Sequence, residues 1–168
     1  MALTMPPQVR TLALTAHVTT SVGWLGAVAA FLALALAGLT SASTATVRGA
    51  YVATEVVTWA VIVPLSLASL VTGVVQSVGT PWGLIRHYWV LVKLVLTVVA
   101  TALLLLHTRP IGHLGAVAAS GARFGADLEG MRVQLVVDAA AALIVLLGAT
   151  VLAVYKPRGV TRLGQRRA

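Results

Sequence analysis

The sequence predicts an all-α integral membrane protein, a four-helix bundle in one domain, and three observations carry that prediction. Four apolar stretches, residues 12–39, 51–78, 84–106 and 133–154, each reach the roughly 20 residues that a helix needs to cross a hydrocarbon core about 30 Å thick. Hydrophobic residues make up 59% of the chain and charged residues 10%, against about a quarter charged in an ordinary soluble domain. Each stretch is also too long and too continuously apolar for a barrel strand, so the backbone must satisfy itself within helices.

The first stretch follows Arg10 and outruns the h-region of a secretory signal, so it reads as a transmembrane helix. His17, Ser21, Trp24, Val28 and Phe31 form a stripe on it, flanked by Gly23, Gly26, Ala27 and Ala30, small residues that let helix backbones approach closely in lipid. Residues 40–49, rich in Ser and Thr, form a polar turn. On the second stretch Glu55, Ser66, Ser69 and Gly73 share a face, with Gln76 beside it. The run Gly79-Thr-Pro-Trp-Gly83 then breaks the helix: Pro81 ends one helix or begins the next. Trp82, Tyr88 and Trp89 read as an interfacial aromatic belt.

On the third stretch Arg86, Lys93, Ala100 and His107 recur every seven residues, with Thr97 between them, and so line one side of a helix. The connection 108–132 holds Pro110 and five glycines, with a short surface helix expected near 114–124. On the fourth stretch Asp138 aligns with Ala142, Val145, Ala149 and Lys156. Residues 155–168 are a basic tail.

The chain has no cysteine, which removes disulfides, thiolate metal sites, iron–sulfur clusters and covalently attached haem. Its net charge of +8 comes largely from Lys156, Arg158, Arg162, Arg166 and Arg167, directly after the last span. These lack interleaved aromatics, so their expected partner is the lipid bilayer and not nucleic acid. A membrane-protein partner or a homo-oligomer stays open. Arg10, Arg86 and the five tail residues share one face of the membrane. Arg48, Arg109, Arg123 and Arg132 share the other. Seven against four places both termini in the cytoplasm of a multi-pass plasma-membrane protein.

Ionisable residues inside the spans are costly and point to function. Lys93 lies about 13 Å below the termini face, where it is either paired or snorkelling. Asp138 lies about 7 Å in from the opposite face, and its short side chain calls for a partner or a proton. Their depths differ by about 9 Å, so a Lys93–Asp138 coupling through water is expected. Glu55 and His107 stand nearer that same face and are either wet or paired, and His113 is a solvated loop residue. His17 lies about 8–9 Å in, a ligand or a hydrogen-bonded structural histidine holding the first helix to the third. His87 fits the aromatic belt, yet begins at the same leaflet as His17, and two such histidines can ligate a b-type haem. His87 also points about 120° away from the Lys93 stripe. Motifs of soluble enzymes are absent, and no residue is assigned to catalysis.

The segments His17-Val-Thr-Thr-Ser-Val-Gly-Trp-Leu-Gly26, Val63-Pro-Leu-Ser-Leu-Ala-Ser-Leu-Val-Thr-Gly73 and Gly79-Thr-Pro-Trp-Gly-Leu-Ile-Arg-His-Tyr-Trp-Val-Leu-Val-Lys93 resemble an uncharacterised family of small four-helix membrane proteins carrying a domain of unknown function. That family is frequent in high-GC actinobacteria, and ten Arg against two Lys suits such a genome. The resemblance implies a topology and no activity. More remotely, His17 followed by Trp24 is similar to the first helix of the copper-resistance D group and of the four-helix membrane protoporphyrinogen oxidases. The latter likeness implies haem b, with His17 as axial ligand, Trp24 as a pocket wall and Lys93 as a second polar residue. The functional expectation is thus a haem- or quinone-associated membrane protein organised around His17 and Lys93. The alternatives are a non-enzymatic interaction subunit, a small transporter, or an ion pathway along Lys93, Asp138 and Glu55.

Overall fold

The structure is a computed structural model and describes residues 5–80, 84, 86–157 and 159–161. Four helices carry it: α1 (Pro7–Thr40), α2 (Thr44–Val78), α3 (Tyr88–Ser120) and α4 (Ala126–Tyr155). Each is long and apolar enough to cross a membrane. The outward positions are apolar too: Leu106, Ile144 and Val154 are each 70% exposed, as a lipid solvent permits. This is the architecture of a multi-pass membrane protein. α1 packs against α2 and α4, and α3 packs against the same two, so α1 and α3 stand on one diagonal of an antiparallel bundle. The start of α1 and the end of α4 lie at one end, the termini end, and the α1–α2 and α3–α4 connections lie at the other, the loop end.

Local chemistry sets the helix ends. α1 starts on Pro7, whose missing N–H costs nothing in the first turn. The Ser43 hydroxyl accepts from the Thr46 N–H, so α2 begins at Thr44. The polar turn expected over 40–49 is therefore only a few residues long. α3 closes on Gly121 in the left-handed region at φ 78°, where glycine carries no Cβ penalty. α4 ends at Lys156, which adopts φ 44° and turns the chain back. Beyond that turn, Val160 bridges His87 and the Thr161 N–H donates to the Arg86 carbonyl at 2.9 Å.

Two prolines sit inside helices. Pro64 follows a π turn, Thr58–Ile62, in which the Val63 N–H reaches Thr58. The wider turn accommodates the proline ring and shifts everything after it by about one residue of rotation. The shared face expected for Glu55, Ser66, Ser69 and Gly73 is consequently split: Glu55 faces α3, while Ser69 and Gly73 face α1. Pro110 lies mid-helix in α3. The helix survives because Ile111, Leu114 and Ala118 are buried on its inner side, and packing outweighs the lost bond. The short surface helix expected near 114–124 is thus the end of α3, and the α3–α4 connection shrinks to residues 121–125.

The core is lopsided. On α1 the buried residues Trp24, Val28, Phe31, Ala35 and Gly38 run in steps of three and four, the seam of a packed helix. The first of them is seventeen residues after the helix start. On α4 the last buried residue is Leu146, well before Tyr155. The bundle is tight toward the loop end and open toward the termini. Pro81, Trp82, Gly83, Arg158, Arg162, Arg166 and Arg167, invoked for the helix break, the aromatic belt and the tail, lie outside the described residues.

Candidate functional site

The open half encloses a cavity of about 440 Å³ to which all four helices contribute. His17 and Ser21 enter it from α1, Ser69, Gly73 and Gln76 from α2, Lys93 and Thr97 from α3, and Thr150 and Lys156 from α4; Arg10 stands at the termini end and Trp24 at the level where the core begins. Three of the four residues expected to hold a cofactor, His17, Trp24 and Lys93, line this one space. Sequence periodicity had already set Ser21 with His17, and Gly73 and Gln76 with Ser69.

His17 is held on its α2 side. Its Nδ1 lies 3.2 Å from Thr72 Oγ1. The single Thr72 proton goes to the Ala68 carbonyl at 2.6 Å, so Nδ1–H donates to Thr72 and Nε2 is the ring nitrogen left for another partner. The ring lies against Gly73, where an added Cβ would stand 3.0 Å from Cε1. One turn further, Ser21 Oγ and Ser69 Oγ are 2.8 Å apart. These contacts seal α1 against α2 and correct the expected role of His17, which joins the first helix to the second. The reason is the order of packing, which puts the third helix across the diagonal.

Lys93 sits 5.7 Å from the Trp89 ring centroid, a cation–π contact in a partly dry setting. It shares the cavity lining with Lys156 and His17. Among the described residues, the cavity lining contains Arg10, Lys93 and Lys156 and no carboxylate. Such a space favours a molecule that brings negative charge or strong acceptors.

His87 is not brought into this group. It caps the start of α3 and pairs with Val160, and it is not among the lining residues. Glu55 lies toward the loop end, against Gly112 and Gly115 of α3; a Cβ on Gly115 would collide with its carboxylate. Among the described residues, no group of three or more His, Cys, Asp or Glu side chains comes together to hold a metal ion.

The expected Lys93–Asp138 coupling is replaced by another. Asp138 Oδ2 lies 3.1 Å from His107 Nε2, and Gln134 Nε2 lies 3.2 Å from that same nitrogen. His107 Nδ1–H donates to the Leu103 carbonyl at 2.8 Å. Oδ2 has no aligned hydrogen bond, so the contact is a close approach of two polar groups. His107 is about 21 Å from Lys93 along α3, too far for one water. The depth estimate failed because it took the ends of the apolar stretches as membrane faces, whereas α3 and α4 both continue well past them. Lys93→Met and Asp138→Asn are therefore expected to have additive effects on thermal stability in detergent. His107→Gln and Asp138→Asn should couple by about 0.5–1 kcal/mol, modest because both side chains are partly exposed. Additivity of the second pair would reject the His107–Asp138 contact.

Two arginines counted for topology prove to be helix caps. Arg132 Nη2 donates to the Gly38 carbonyl at 2.6 Å and the Leu39 carbonyl at 3.3 Å, and Nε donates to Tyr51 Oη at 3.0 Å. Its guanidinium also stacks near Tyr51 and Phe124, 5.7 and 5.5 Å from the ring centroids. Arg48 donates in the same way to the Gly121 carbonyl at the end of α3. Both charges meet the negative end of a helix dipole. No local pattern announces these contacts, because each joins residues more than 70 positions apart.

Neither a family model nor a curated protein nor a solved structure matches the chain.

Proposed function

We propose that this membrane protein binds an amphipathic small molecule with an acidic or strongly accepting head in the cavity at the termini end. The observation that supports it is the lining itself: cations and neutral donors from all four helices, no carboxylate among the described residues, and apolar side chains below. Pockets of a few hundred Å³ with a few convergent polar groups are the usual form of small-molecule sites.

Haem b is the narrowest form of this reading, and a quinone is its neighbour. The donor set fits haem in part: His17 offers Nε2, Trp24 an aromatic wall and Lys93 a counter-charge for a propionate. A second histidine is not among the lining residues, so the fit is to a single protein ligand. Bound iron would supply redox chemistry; this chain's own residues would orient the ring and neutralise its acids. A quinone would take hydrogen bonds from Lys93 and the neighbouring hydroxyls.

The test is an absorption spectrum of detergent-purified protein before and after haem addition, with mass spectrometry of its organic extract. The expected result is an acidic or quinonoid amphiphile retained by the wild type and lost from Lys93→Met. A Soret band abolished by His17→Ala with the helical fold intact would identify haem. Protein that retains nothing overturns the reading and leaves a non-enzymatic interaction subunit or small transporter.

The proposed orientation has both termini in the cytoplasm, supported by the seven-to-four excess of Lys and Arg at the termini end. A reporter fused after residue 168 should score as cytoplasmic and one inserted within 121–125 as external. The opposite pattern would invert the protein in the membrane.

A further inference from the structure

We infer that the ligand is an anionic phospholipid from the leaflet on the termini side, entering the cavity sideways through a gap between α1 and α4. This rests on the proposed cavity function and names its ligand class. Four residues carry the gap. Leu14, Val18 and Val22 of α1 line the cavity, yet they are 48, 49 and 60% exposed. Val154 of α4 lines it too and is 70% exposed. A side chain that is both cavity lining and open to the outside stands at an opening. The three α1 residues recur every fourth position, one stripe along the helix. That stripe lies away from the side on which His17, Thr20 and Ser21 are bonded to α2, and the other neighbour of α1 is α4. The α1–α2 seam is closed by hydrogen bonds, whereas the α1–α4 seam has no buried residue before Trp24 or after Leu146.

An opening framed by Val and Leu at membrane depth admits molecules already in the bilayer and disfavours water-soluble anions. Arg10, Lys93 and Lys156 all line the cavity, Arg10 toward the termini end, and among the described residues no carboxylate lines the space. A phosphate drawn between them would answer that charge, while its acyl chains stay in lipid between α1 and α4. Basic pockets between membrane helices take anionic headgroups for this reason.

The test uses the full-length protein in detergent, with phosphatidylglycerol, phosphatidylcholine of the same chain length, or inorganic phosphate, read by native mass spectrometry and thermal shift. The expected result is about tenfold preference for phosphatidylglycerol over phosphatidylcholine. Lys93→Met should remove the preference. Val18→Trp and Val154→Trp, which fill the gap from either side, should weaken phosphatidylglycerol binding with helical content unchanged. Equal binding of the two lipids means annular lipid only and overturns the inference, as does a preference that survives Lys93→Met. Inorganic phosphate matching phosphatidylglycerol mole for mole would overturn the sideways route. If haem or another acidic amphiphile is retained through Lys93 while phosphatidylglycerol shows no preference, the proposed function stands and this inference falls. If nothing is retained, both fall. Should one Trp variant misfold, the other decides the portal.

Discussion

Replacing Arg132 with Met is expected to lower the stability of the folded bundle by about 3 kcal/mol, a fall in melting temperature on the order of 10 °C. The substitution keeps an apolar stem but removes the donors to the Gly38 and Leu39 carbonyls and to Tyr51 Oη. Tyr51 is fully buried, so its hydroxyl would be left without that partner away from water, the costly state of a polar group. The end of α1 would also lose the charge that faces its dipole. Arg132→Lys should recover only part of the loss, because an ammonium cannot serve Tyr51 and two carbonyls at once from one fixed fork. Thermal unfolding in detergent, followed by circular dichroism, measures both variants. A melting temperature within about 2 °C of wild type for Arg132→Met would show that the clamp contributes little.

Lys93→Met is expected to act with the opposite sign on stability and to abolish binding. Methionine resembles the lysine stem in length, so packing against Trp89 is largely kept. What disappears is an ammonium within a span, which costs up to about 3 kcal/mol at mid-depth and less where the stem can snorkel. The ligand-free protein should therefore gain about 1–2 kcal/mol. The amphiphile retained by the wild type should be absent from the variant. A stability gain together with lost retention marks a residue kept for its ligand at the expense of the fold. A variant that melts lower than wild type when ligand-free would instead make Lys93 a structural element and remove the main support for the cavity reading.

Fold class, number of spans and the identity of the main polar residues were written in the sequence, since the bilayer demands long apolar helices and tolerates few charges within them. Periodicity alone set Ser21 with His17, and Lys93 with Thr97, on inward faces, because a regular helix turns by a constant angle. What it could not supply was phase across an irregular turn. The π turn before Pro64 rotates Ser69 and Gly73 away from Glu55, and an extrapolated wheel cannot register it. Helix extent was equally hidden: apolar runs mark where lipid is tolerated, while α3 continues through Pro110 because Ile111, Leu114 and Ala118 find a packed partner. Only the tertiary structure decided the neighbours. Placing α1 beside α2 and α4 gave His17 to Thr72 and Arg132 to the end of α1, and the facing of α3 and α4 gave Asp138 to His107. These are contacts between distant segments, set by which helix faces meet. The cavity belongs to the same class of fact: it exists because α1 and α4 stop burying side chains at Trp24 and Leu146, and a gap between two helices is a property of neither sequence segment by itself.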